Sequence, residues 1–310
     1  VIATDILSKG HLDNLVRMAI KKGVDPIKAI QMGSINSAEA YRIDHLVGSI
    51  SPGKIADILF VDDPESFQVK KVMTDGELVA QDHRIINELK APKRSPSLLN
   101  TMKGKKVEAK DFLVQAPEGQ NEVTVLSMNV SVDVPFVRKR RDVTLHTDNG
   151  VVLPDVSQDA LYVTVVERFG KNGNKPVGFC SGWKLKRGAM ASSAAPDDNN
   201  IVCIGTDPGD MALAVNHIME NGGGQVVVDS GSVVEFLPLP VGGIVSDIEP
   251  EEMLEHEQKL KEEACKLGCD LPDPFLYMFF LPITAIPDYA MTDIGVIDCI
   301  TLETIDPVLK

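Results

Sequence analysis

Nowhere in the 310 residues does an apolar run approach the roughly 20 needed to cross a bilayer as a helix, and no signal-type segment opens the chain. Positive charge is also scarce. Thirty-one Lys and Arg face 45 Asp and Glu, a net charge of −14. The one basic run, Arg138 to Arg141, reads as a solvated strand end. Nucleic-acid backbones and anionic membranes are held by clustered Lys and Arg, so neither is expected as a partner. Cysteines at metal-ribbon spacing are missing: Cys180, Cys203, Cys265, Cys269 and Cys299 are odd in number, scattered and without a CxxC pair. That excludes a disulfide framework and a zinc ribbon, and buried thiols in a reducing cytoplasm fit better. The histidines (His11, His45, His83, His146, His217, His256) show no metal-ligand spacing. A starting Met is lacking too. The chain opens on Val1-Ile2-Ala3-Thr4, so its beginning is expected to be internal to a longer protein.

What is present is ordinary for a globular protein, 44% hydrophobic and 25% charged, and long enough for two or three compact units. Residues 1–4 read as the end of a buried strand. Leu12, Leu15, Val16, Ala19 and Ile20 then make one apolar helical face that Gly23 ends, with His11 capping or packing at its head. Asp25-Pro26 starts a second helix through Met32. Asn36 and Glu39 have capping-box spacing for a third. From Gly48 the texture turns to short apolar runs at 55–61, 69–73 and 78–80, with Asp75-Gly76 as a two-residue hairpin signal. Residues 91–110, rich in Pro, Ser and Lys, read as a linker.

Beyond it, strands are expected at 123–130, 161–167, 177–180, 201–204, 226–228, 233–237 and 295–300. Helices are expected at 207–221, closed by Gly222, and at 250–267, with Glu251 and Glu252 favouring the dipole of its first turn. Gly222-Gly223-Gly224 follows a helix rather than preceding one, so it is a C-cap turn and not a phosphate cradle.

Residues 176–210 carry most of the chemical information. A Gly-punctuated apolar strand runs into Ser192-Ser193, then the acid and amide cluster Asp197-Asp198-Asn199-Asn200, then a second strand and a helix cap. Short polar side chains between buried strands suit a small polar ligand. Three motifs resemble the adenine deaminase family of the amidohydrolase superfamily. GHLDNLVRMAIKKGVDPIKAIQMGSINSAEAY is similar to the closing helices of an amidohydrolase barrel. GSISPGKIADILFVDD resembles the strand by which such a chain re-enters its small β-sandwich. VVERFGKNGNKPVGFCSGWKLKRGAMASS, with LPLPVGGIVSD and PDYAMTDIGVIDC, is similar to the additional carboxy-terminal domain of adenine deaminases.

The resemblance implies a fold of α/β and α+β parts: the end of a TIM-type barrel (1–46), a small β-sandwich segment (47–90), the linker (91–110) and an α+β domain (111–310). It implies hydrolytic deamination of adenine to hypoxanthine and ammonia by a hydroxide on a divalent metal (manganese, iron or zinc). Most ligands would lie on a barrel half outside residues 1–310, supplied upstream or by a complementing chain. A homo-oligomer is compatible with it.

Asp5 reads either as the last metal ligand of the barrel or as a helix cap. The family pattern Ser-Ser-x-x-His-Asp-x-His-Asn is met here by Ser192 to Asn200 with Pro196 and Asn199 in place of the histidines, and neither substitute can shuttle a proton near neutral pH. Asp197, Asp198 and Asn200 remain as catalytic or purine-edge groups, or as a capped loop. Ser192, Ser193 and Trp183 would bind substrate, with core packing the other reading for Trp183. The replaced histidines leave a non-catalytic module, or a hydrolase of another substrate, as competing outcomes.

Overall fold

A computed structural model describes residues 3–86 and 94–309, and the chain divides into two units, Val1–Lys93 and Arg94–Lys310. In the first, α1 (Ala3–Lys9), α2 (Leu12–Lys21), α3 (Pro26–Met32) and α4 (Ile35–Ala40) precede an antiparallel sheet of β1 (Ile58–Val61), β2 (Val69–Thr74), β3 (Glu77–Gln81) and β4 (Arg84–Ile85), in that order.

The strand expected over residues 1–4 is corrected at residues 3 and 4. Ala3 and Thr4 open α1, while Val1 and Ile2 lie outside the described residues. A parallel barrel strand takes its backbone bonds from neighbours on either side. The four strands of this unit pair antiparallel with one another. Residues 3–9 instead satisfy their backbone along a helix. No barrel closes among the described residues.

The helices after it follow the sequence signals closely. Asp25 Oδ1 accepts from Lys28 N at 3.1 Å, with Pro26 in the first turn. At α2 the cap differs from expectation. The His11 side chain makes no capping bond, and Asp13 accepts from His11 N at 2.8 Å instead. α4 begins after Ser34, so Asn36 sits inside the helix and no capping box forms. Asp75 and Gly76 both have positive φ (50° and 83°), the type I′ requirement, and join β2 to β3.

In the second unit, β5 (Val114–Gln115), β6 (Glu122–Asn129), β7 (Lys139–Asp148), β8 (Val151–Val152), β9 (Leu161–Val166), β10 (Val177–Ser181), β11 (Ala189–Ser192), β12 (Ile201–Gly205), β13 (Gly224–Asp229) and β14 (Ser232–Pro238) form one mixed sheet. Its order is β14-β13-β11-β12-β9-β10-β6-β7-β8-β5. Among these strands only β10 and β6 pair parallel, through Phe179–Ser127 to Ser181–Asn129. α5 (Pro208–Glu220), α6 (Pro250–Lys266) and α7 (Pro274–Phe279) pack on the sheet. A three-stranded antiparallel sheet of β15 (Tyr289–Thr292), β16 (Gly295–Asp298) and β17 (Glu303–Ile305) follows. β18 (Val308–Leu309) returns to β6 beside Val125 and Thr124.

Both faces of the large sheet are covered, and β9 shows why it reads as an uninterrupted apolar run. Leu161, Val163 and Val165 belong to the core shared with α6 and α7. Tyr162 and Val166 belong to the core shared with α5.

The stretch read as a linker is tied into this unit from residue 94 on, and its earlier part lies outside the described residues. Lys103 N and Gly104 N both donate to Arg168 O, at 2.6 and 3.0 Å. Val107 is buried and exchanges two 2.9 Å bonds with the Asn216 amide. Arg138 also departs from expectation: it is fully buried, donating to the carbonyls of Tyr289 (2.6 Å), Phe136 (3.0 Å), Ile283 (2.7 Å) and Ile286 (2.8 Å). A charge can be buried where its donors are met by a full set of acceptors.

Candidate active-site cleft

The polar cluster read from the sequence forms the loop between β11 and β12. Ser192 ends β11 and Ser193 follows it, both wholly buried. Ser193 Oγ donates to Gly243 O at 2.5 Å and accepts from Gly224 N at 2.9 Å. Its hydroxyl therefore fastens β13 and the 242–243 turn to the strand end. Ser192 Oγ accepts from Ala194 N at 3.2 Å.

Beyond the serines the chain reaches Asp197, which is exposed, and Asp198, which is half-buried. Asn200 donates to both oxygens of Asp198, from its backbone N at 3.0 Å and its side-chain Nδ2 at 2.9 Å. Burial pushes the Asp198 carboxyl above its ordinary pKa. The Asn200 donors pull against this, and the nearby Asp293 adds to it.

The loop is clamped by Arg168, which is 1% exposed. Its backbone N donates to Asn200 Oδ1 at 3.2 Å and its Nε to Asn199 O at 2.5 Å. The two terminal nitrogens reach Thr101 Oγ1 (2.7 Å) and Gly242 O (2.9 Å). Burial draws this guanidinium down to about 10, with Asp198 and Glu167 opposing. Glu167 is held just as firmly. Burial pushes its carboxyl up, but the backbone N–H groups of Gly173, Phe169, Asn172 and Lys171 outweigh it and bring the pKa below its usual value.

Asp197 and Asp198 line a cleft of about 320 Å³ with Thr284, Thr292, Asp293 and the apolar side chains of Pro282, Ile294, Ile297 and Leu302. Asn172 Nδ2 donates to Asp293 Oδ2 at 2.7 Å. Of the residues expected to form a site, the structure brings Asp197 and Asp198 to one cleft, with Asn200 behind them. Trp183 is fully buried in the core with α6 and α7, its Nε1 without a partner, and does not line the cleft. Asp5 lies in the first turn of α1, paired with Lys9 at 2.8 Å.

The sequence reading assigned no role to Asp293 or Arg168. Both sit within quoted motifs (TDIG and VERFG), yet nothing local marks them as partners of residues 197–200. Chemically, the cleft offers carboxylates that accept from N–H groups, and apolar walls. Among the described residues no group of three or more His, Cys, Asp and Glu is placed to hold a metal ion, so the described residues do not by themselves fit one. No described helix is long and apolar enough to cross a membrane.

Residues 1–79 match the amidohydrolase family. Residues 135–303, more than half of the chain, match the adenine deaminase C-terminal domain, and the chain belongs to that family. Three curated relatives align over nearly all of it. It is 63% identical to "Adenine deaminase 1" of Desulfotalea psychrophila, covering 100% of this chain and 52% of the relative. It is 57% identical to "Adenine deaminase 4" of Rhizobium meliloti, covering 99% and 51%. It is 51% identical to "Adenine deaminase 1" of Latilactobacillus sakei, covering 100% and 52%. The chain thus spans about half the length of the curated relatives it matches.

Proposed function

We propose that these residues are the carboxy-terminal half of a hydrolase that converts adenine to hypoxanthine and ammonia. The observation that carries the reading is the unbroken similarity of the chain, at 51–63% identity, to relatives named adenine deaminase. The cleft at Asp197 and Asp198 is compatible with it, since it offers acceptors for the N–H groups of a purine edge beside apolar walls suited to a flat ring.

A divalent metal (manganese, iron or zinc), bound mainly by residues outside this chain, would activate the attacking water near neutral pH. Asp5 is the one residue of this chain we assign to that ligand set. To serve there it would have to leave its Lys9 pairing. The apolar cleft of about 510 Å³ in the first unit, walled by Ile30, Tyr41, Ile43, Ile55, Leu59 and Phe67, is where we expect the barrel portion to pack.

A second reading has its own support. Pro196 and Asn199 stand where the family pattern has histidines, which favours a non-catalytic module or a different substrate. Expressing the longer open reading frame with manganese, iron or zinc supplied, and measuring ammonia release from adenine and from other purines, separates these. Turnover of adenine supports the first reading. Metal binding with turnover of another purine alone supports an altered substrate, and loss of both leaves the module.

A further inference from the structure

The cleft between the 196–200 loop and the β15–β16 turn carries more than its position in the family implies. Its volume, about 320 Å³, lies at the small end of the roughly 300–1,000 Å³ typical of small-molecule sites. Pro282, Ile294 and Leu302 supply apolar walls, and Ile294 and Leu302 are 59% and 69% exposed, large apolar side chains left in water at the mouth of a cleft. Three carboxylates line it, Asp197, Asp198 and Asp293, and two of them, Asp198 and Asp293, come from segments nearly a hundred positions apart. Those two are each held by a side-chain amide: Asp198 by Asn200, Asp293 by Asn172. Those amides are fixed in turn. Arg168 N donates to Asn200 Oδ1, and the loop holding Asn172 is wound around the Glu167 carboxylate. Such preorganisation is what a recognition site needs, because the groups do not have to be ordered when the ligand arrives.

We propose that Asp293, acting with Asp198, is a specificity-determining residue that selects a purine carrying an exocyclic amino group over the corresponding oxo-purine, with the flat ring against Pro282, Ile294 and Leu302. An exocyclic amino group offers two N–H donors, one for each carboxylate. Deamination replaces it with a carbonyl oxygen, which has no proton to give and faces two acceptors. The same pair that holds the substrate therefore disfavours the product. Arg168 and Asn172 are positioning residues for this pair. The inference rests on the adenine reading above and adds Asp293, Arg168 and Asn172 to it.

The test is calorimetric titration of the 310-residue chain with adenine and, separately, hypoxanthine at neutral pH. Adenine is expected to bind about tenfold or more tightly than hypoxanthine, the scale on which an unmet polar group discriminates. Asp293→Asn keeps the shape and can still accept from Asn172, but turns an amide donor toward the ligand. It should weaken adenine about tenfold, narrow the gap to hypoxanthine, and leave the thermal midpoint unchanged. Asp293→Glu, retaining the carboxylate, should recover part of the loss. Equal binding of the two purines, no binding of adenine, or an Asp293→Asn chain that binds adenine like the parent would overturn the proposal.

Outcomes for the longer protein keep the two ideas apart. Ammonia release from adenine with an Asp293→Asn KM equal to the parent's sinks this inference and leaves the reading standing. Selective adenine binding by the chain, without ammonia release by the longer protein, does the reverse.

Discussion

The two units bury their apolar side chains to very different extents. In the second, helices cover both faces of a mixed sheet, and residues such as Leu126, Leu161, Val163 and Ile204 are wholly inaccessible. In the first, the buried apolar set is small, built around Val16, Ala29 and Phe67. Leu12, Leu15 and Met18 of the same α2 stand about half exposed, as do Ile27 and Met32 of α3. The amphipathic spacing of α2 is as regular as that of any helix in the second unit. Periodicity declares that a helix has an apolar face; it does not say whether the chain itself supplies what covers that face.

That contrast can be broken outright by expressing the units apart. Residues 94–310 alone should unfold in one cooperative urea transition, followed by the emission of Trp183, the only tryptophan and wholly buried. Residues 1–93 alone should bind a hydrophobic dye strongly and show no sharp transition. A cooperative, dye-free first unit would mean its apolar face is covered within itself.

Next in size are substitutions inside the second unit. Arg138→Ala strands four carbonyls in a dry site and should cost roughly 3–5 kcal/mol in the same urea experiment. Leu126→Ala, at a wholly buried position, should cost about 2–5 kcal/mol. Leu15→Ser in the first unit, where the side chain is 58% exposed, should change stability by under about 0.5 kcal/mol and reduce dye binding.

The smallest effect sharpens the comparison through pH. Side-chain bonds from Ser157 and Gln158 hold Asp155 down to about 2, helped by their backbone N–H groups. A carboxyl depressed in the folded state contributes stability above its unfolded pKa, near 3.9, and loses it as pH falls toward 2. Acid unfolding of residues 94–310 should therefore flatten between about pH 4 and 2 in Asp155→Asn, with no change at pH 7 in the slope against pH.

Where a segment's own residues decide its conformation, the fold was legible. α3 carries its cap and its proline in sequence, Asp75-Gly76 is a type I′ turn by composition, and α5 and α6 have both periodicity and end signals. Ala3 and Thr4 open a helix rather than a strand, because a short apolar opening is strand-like only where neighbouring strands exist to pair with it. β11 escaped notice because Ala189–Ser192 holds no β-branched or aromatic side chain, and it is a strand only because β12 and β13 flank it. β7 hid its two inward residues, Val143 and Leu145, among charged ones.

The site followed the same rule. The polar cluster at 197–200 was visible as a run of unusual side chains. Asp293, nearly a hundred positions away, shares its cleft only through tertiary structure. Arg168 resembled any surface arginine until its acceptors at residues 101, 199 and 242 were in place.

β6 exchanges neighbours along its length, pairing with β10 at residues 127–129 and with β18 at residues 124–125. Residues 308 and 309 therefore fill the stretch beside β6 that β10 does not reach. Trimming them would open a notch of unmet backbone donors and acceptors in the middle of the sheet, an invitation for another chain's strand to slot in.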